Sequence, residues 1–226
     1  MIIDKRWCNI VAGLLMTSCL MTFSNAADEI GSIEESEAIA QADDLQGFKR
    51  SPENPEIYIH TASGIVFPPT LYVFQREKIH HFDNHGVDIS VGYNFIGASL
   101  TIYVYPLPVI DGQNPEETWK TVFSAEVQGV QQQHNGAQLL SAEQGSMPVG
   151  GVFVPEERLQ AFRARFQMME SNGTTDLVKS ELLSFRKGQQ LVKMRLTYLE
   201  ESQERIIREF EWVLKEFQWP SPENIQ

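Results

Sequence analysis

Cysteine is nearly absent from this chain. Of its 226 residues only Cys8 and Cys19 are cysteines, and both lie in the first 26. Once that segment is removed, thiol catalysis, disulfides, zinc–thiolate sites and iron–sulfur clusters are excluded together. The remainder must be stable through its core alone, and about 200 residues are ample for one core. Basic residues are scarce as well: 18 Lys and Arg stand against 30 Asp and Glu, a net charge of −12. Uniform attraction to nucleic acid or to an anionic membrane is not expected of such a chain. Signature motifs are missing too. There is no G-x-S-x-G elbow, H-E-x-x-H, Walker loop or G-x-G-x-x-G, so no catalytic residue and no cofactor is assigned. What remains is of average globular composition, 42% hydrophobic and 21% charged.

One long apolar run is present, over residues 8–23, behind Lys5 and Arg6 and ahead of Ser24-Asn25-Ala26. Its roughly 16 residues are short for a bilayer span, which needs about 20. The pattern is that of a signal peptide over 1–26, cleaved near Ala26, giving a periplasmic or secreted protein with no transmembrane span in the mature chain. Met16-Thr17-Ser18-Cys19 gives a weaker reading, a lipoprotein anchored through Cys19. Residues 27–54 read as an acidic flexible leader: 27–48 hold seven acids and no Lys or Arg. A single domain is expected over 55–220, with 221–226 as a tail.

Within that domain, 56–60, 64–67, 71–82, 87–94 and 100–105 are β-prone, the last alternating Leu100, Ile102, Val104 with Thr101, Tyr103, Tyr105. Asn114 as N-cap, Pro115, Glu116 and Glu117 open a helix whose stripe is Trp119, Val122, Phe123, Val127 and Val130. A short strand at 138–142 and a loop over 144–157 follow. Strands over 159–170, 176–185 and 191–199 are joined at Asn172-Gly173 and Lys187-Gly188. A closing helix carries Ile206, Ile207, Phe210, Val213, Leu214 and Phe217, and Pro220 ends it. The order predicts an α+β fold, an antiparallel β-sheet with two main helices packed on it.

This order of elements resembles the PsbP-like fold over roughly 57–219. Gly64-Ile65-Val66-Phe67-Pro68, Asp88-Ile89-Ser90-Val91-Gly92-Tyr93 and Thr101-Ile102-Tyr103-Val104-Tyr105-Pro106 are also similar to phrases in uncharacterised exported bacterial proteins. The resemblance implies an α/β/α sandwich and a binding or assembly role without a shared active site; it carries over no functional residue.

Register arithmetic supplies the candidate site. Symmetric two- or four-residue turns at Asn172-Gly173 and Lys187-Gly188 would set Arg165 opposite Ser180 and Ser180 opposite Arg195. They would likewise set Arg163 opposite Leu182 and Leu182 opposite Lys193. Arg163, Arg165, Lys193 and Arg195 then share one face, a platform for an unidentified acidic protein partner or a small anionic ligand. The opposite face would carry Phe162, Phe166, Met168, Leu177, Leu183, Val192, Met194, Leu196 and Tyr198, with Lys179 and Glu181 as exceptions, as a floor for the final helix. The plainer reading pairs the arginines with acids from neighbouring segments.

Three further features bear on possible chemistry. His80, His81 and His85 gather near Asp83 and Asp88, but adjacent histidines on a strand point to opposite faces, so no metal site is assigned. Asn172-Gly173-Thr174 fits a hairpin turn better than a glycosylation site, and Met168 reads as core. The function expected is that of a non-catalytic binding or envelope-assembly accessory module. The alternative is a small-ligand-binding or hydrolytic protein with a pocket near the 144–157 loop.

Overall fold

The computed structural model describes residues 45–134, 136–148, 158–169 and 177–217. The signal peptide, the leader up to residue 44, the 149–157 part of the expected loop, the Asn172-Gly173 turn and the 221–226 tail lie outside the described residues. Eleven strands and two helices are described. They are β1 (Phe48–Arg50), β2 (Tyr58–His60), β3 (Val66–Phe67), β4 (Thr70–Leu71), β5 (Phe74–His81), β6 (Ile89–Phe95) and β7 (Ala98–Pro106). Then come α1 (Pro115–Gln133), β8 (Gln138–Pro148), β9 (Arg158–Met169), β10 (Leu177–Lys187), β11 (Gln190–Leu199) and α2 (Gln203–Glu216). No described helix is long and apolar enough to cross a membrane.

β4 to β11 form one antiparallel sheet in the order β4-β5-β6-β7-β11-β10-β9-β8, and β1-β2-β3 form a small second sheet. The α+β class and the sandwich layout are as expected: each helix covers a different face of the large sheet. α1 starts with a capping box. The Asn114 side chain accepts from the Glu116 and Glu117 amides at 3.0 Å, and the Glu117 carboxylate accepts from the Asn114 amide at 3.0 Å. Its stripe of Trp119, Phe123, Val127 and Val130 packs on Tyr105, Phe162, Ala164, Phe166, Met168, Leu182 and Leu191. α2 presents Ile206, Phe210, Val213 and Leu214 to the other face, onto Leu183, Phe185, Val192, Met194, Leu196 and Tyr198.

Three expectations are corrected here. The fold begins before residue 55, because β1 pairs with β2 and lays the Phe48 ring against Tyr58, His60, Phe67 and His81. That aromatic anchor lies in the stretch read as leader. β8 runs on to Pro148, paired with β9, so residues 144–148 are strand rather than loop. The first β9–β10 pair is Leu177 with Met169. An odd number of residues thus connects these two strands, and this hairpin differs in parity from a symmetric two- or four-residue turn.

Where β1 and β2 meet the β5–β6 connection, His60 is fully buried. Its Nε2 donates to the Gly86 carbonyl at 2.8 Å, because a carbonyl can only accept. Its Nδ1 therefore carries no proton and accepts from Ser63 Oγ at 2.7 Å. Burial holds the His60 pKa below its usual 6.5. The folded state thus binds this proton less readily than the unfolded chain. The stabilisation is complete above about pH 6.5 and is lost as pH falls from there through the lowered folded value. Urea unfolding between pH 7.5 and 5 should show stability falling with pH, and H60Q should flatten that slope. An unchanged slope in H60Q would contradict the assignment.

Candidate binding surface

The observed register separates the four expected cations. Arg165 pairs with Glu181 and Arg163 with Leu183, whereas Leu182 pairs with Arg195 and Ser184 with Lys193. Side chains of directly paired residues share a face. Arg163 and Arg165 therefore stand on the α2 face with Glu181, Leu183, Met194 and Leu196. Lys193 and Arg195 stand on the α1 face with Ser180, Leu182 and Ser184. The four-cation platform does not exist, and the apolar floor expected on one face is divided between two. The second hairpin also differs, with Lys187 pairing Gln190 around Gly188 and Gln189. Gly188 takes φ +59 at the first turn position, as a II′ turn requires. That shift is by an even step and leaves the faces unchanged.

On the α2 face the cations are neutralised. The Glu181 side chain is only 4% exposed. One of its oxygens, Oε2, accepts from Arg163 Nε at 2.9 Å and from Arg163 Nη2. The other, Oε1, accepts from Tyr198 Oη at 3.3 Å and lies 3.8 Å from Arg165 Nε. Arg165 also meets Glu143 at 3.8 Å. Lys179 donates to Gln167 at 2.7 Å and pairs with Glu200 at 2.9 Å. Here the plainer reading of the arginines describes the structure: β8 and β10 supply their acids, and the 3₁₀ turn at Glu200–Ser202 supplies that of Lys179.

The α1 face is different. Lys193 Nζ lies 3.3 Å from Glu126 Oε1 and sits 4.1 Å from the Tyr103 ring centroid. The same Glu126 oxygen accepts from Tyr105 Oη. Burial, then the Glu126 charge, raises the Tyr105 pKa well above its usual value, so the phenol stays a donor. Glu126 Oε2 is buried with no hydrogen-bond partner among the described residues.

Arg195 has no carboxylate within ion-pair distance among the described residues. Its Nε points to Ser180 Oγ at 3.4 Å and its Nη2 to His134 Nε2 at 2.8 Å. Burial lowers its pKa from the usual guanidinium value, a desolvation cost that an ion pair would normally offset. A cavity of about 20 Å³, room for one water, lies between α1 and the sheet. Arg195, Lys193, Tyr103, Glu126 and Gln133 line it. None of residues 144–148 lines it, and the rest of the loop beside which a pocket was expected, 149–157, lies outside the described residues.

Sequence reasoning missed Glu126 and His134. The signal was available for Glu126: spacing from Trp119 through Phe123 to Val130 places its carboxylate on the buried stripe, where an acid needs a cation. Nothing local marks His134, which follows α1 as its C-cap. The histidines near the β5–β6 connection do not converge on one point. His81 Nε2 donates to the Gln46 carbonyl at 2.7 Å. Asp83 closes its own turn on the His85, Val87 and Asp88 amides. His80 and His81 pair with Ser90 and Ile89, on opposite faces, and no described group of three potential ligands could hold a metal ion.

No protein-family model and no curated protein matches the sequence. Among solved structures the chain is similar to a Pseudomonas aeruginosa protein of unknown function, at 10% identity and TM-score 0.44, covering 77% of this chain and 96% of that one. It is similar to the cyanobacterial PsbP of Synechocystis at 12% identity and TM-score 0.41, covering 84% and 99%. LpqN of Mycobacterium tuberculosis, described as involved in cell envelope biogenesis, matches at 11% identity and TM-score 0.33, covering 77% and 79%. These are likenesses of chain path alone.

Proposed function

We propose that this chain is an exported, non-catalytic binding module that docks an acidic segment of a partner in an envelope assembly, using the strip between α1 and β11. The observation that carries this reading is Arg195. It is a desolvated guanidinium whose hydrogen-bond partners are a hydroxyl and an imidazole rather than a carboxylate. A guanidinium offers a planar fork to a carboxylate, and the low dielectric around it strengthens the bond. Lys193 adds a second cation beside it, tied to Glu126. Export rests on the N-terminal pattern of Lys5, Arg6, the apolar run and Ala26.

The test uses the mature chain from residue 27 and acetyl-hexaglutamate amide as probe, followed by isothermal titration. A hydrogen bond to a charged group contributes about 1.5–3 kcal/mol, so R195Q should weaken binding by about 10- to 100-fold. R165Q, on the other face and already paired with acids, should leave affinity within about twofold. Equal losses in the two variants, or no loss in R195Q, would overturn the reading. N-acetylglutamate in a parallel titration separates a free small carboxylate from an acidic peptide segment.

A further inference from the structure

We propose that the Arg195 site takes up its carboxylate together with a proton, and that His134 is the group that receives it. This rests on the docking strip of the preceding section and adds its regulation. Arg195 Nη2 lies 2.8 Å from His134 Nε2. A guanidinium has five N–H donors and no acceptor, so Arg195 must donate and His134 Nε2 must be bare. The imidazole in this arrangement is neutral, with its proton on Nδ1. A proton added at Nε2 would set two N–H donors and two positive charges against each other with nothing to accept. The pair must then part, or an anionic oxygen must enter and accept from both.

The surroundings favour the second course. The charged group that acts on His134 is Arg195 of β11. Around Arg195, the cavity beside it is lined by Lys193 of β11, Tyr103 of β7 and, from earlier turns of α1, Glu126. Glu126 is the only carboxylate among the residues lining the cavity, and its Oε1 is held by Tyr105 and Lys193. The cavity of about 20 Å³ admits no whole ligand, so a carboxylate enters end-on from the open side as the His134 ring yields. That movement is local. His134 is the C-cap residue, half-buried, and takes no part in the apolar stripe of α1.

The sign follows. In the free protein burial, then the Arg195 charge, lowers the His134 pKa from 6.5. A carboxylate seated between the guanidinium and the imidazole favours the imidazolium and raises it again. Binding then draws in a proton, and affinity increases as pH falls through the region near and below 6.5. One proton linked to binding changes affinity by at most about tenfold per pH unit.

The test titrates acetyl-hexaglutamate amide into the mature chain at pH 7.5 and 5.5, in two buffers of different ionisation enthalpy. The result expected is about tenfold tighter binding at pH 5.5, with net uptake of a fraction of a proton per complex. H134Q should abolish both the pH dependence and the proton uptake, whatever its affinity at pH 7.5. Asp88, whose pKa burial raises to about 6, lies on the Lys193 side, and D88N should keep the wild-type dependence. Binding that R195Q weakens but that is equally tight at both pH values overturns the proton linkage and leaves the docking strip standing. No binding at either pH overturns both, and a dependence that survives in H134Q but vanishes in D88N assigns the proton to Asp88 and overturns the inference.

Discussion

E181Q is expected to lose about 3–5 kcal/mol of stability, the range seen when one member of a buried ion pair is removed. In a domain of this size that lowers Tm by about 10 °C. The Glu181 carboxylate is the shared acceptor for Arg163, Arg165 and Tyr198. The Arg163 side chain is 19% exposed and that of Glu181 4%, so solvent does not screen the Arg163–Glu181 interaction as it would a surface pair. The amide keeps the shape and removes the charge, leaving the Arg163 guanidinium with a neutral partner. The R163M/E181L double variant should recover most of the loss, because burying neither charge avoids both desolvation costs. Thermal and urea unfolding of the two variants checks this. A loss below about 1 kcal/mol in E181Q would show that the pair behaves like an exposed one.

The second large effect concerns α1. Trp119 is 2% exposed, meets the Phe162 ring edge-on with centroids 4.5 Å apart, and donates from Nε1 to Ser184 Oγ at 2.9 Å. W119A should cost about 3–5 kcal/mol through the cavity it leaves. W119F keeps an aromatic ring against Phe162 but strips the buried Ser184 hydroxyl of this donor, a loss of about 1–3 kcal/mol. Because α1 forms the wall of the Arg195 strip, W119A should also broaden the near-ultraviolet circular dichroism and weaken hexaglutamate binding, while R165Q does neither. Full retention of binding in a destabilised W119A would detach the strip from α1.

Much of the fold was legible because it is written locally. The capping residues of α1 are contiguous, and its stripe repeats every three to four residues. Strands β7, β9, β10 and β11 show themselves by period two. The cation platform failed on a quantity that is not local, the parity of the β9–β10 connection. A change of one residue there moves every side chain of one strand to the other face. A warning lay in the charges themselves. Lys179 and Glu181 are the two exceptions on an otherwise apolar face in the expected register, which sets Arg163 opposite Leu182 and Arg165 opposite Ser180. The observed register resolves both anomalies by placing Arg163, Arg165, Lys179 and Glu181 together.

The sequence alone determined the class of fold, the order of its elements, the start of α1, and which side chains alternate with which along each strand. These follow from backbone geometry and burial acting over a few residues. The three-dimensional arrangement decided which faces are joined across the sheet, that each helix covers a different one, and that Arg195 meets His134 across 61 residues of chain while Arg163 and Arg165 meet Glu181. Those outcomes depend on strand pairing and loop parity, where many registers satisfy the local pattern and only the joint packing of both faces selects one.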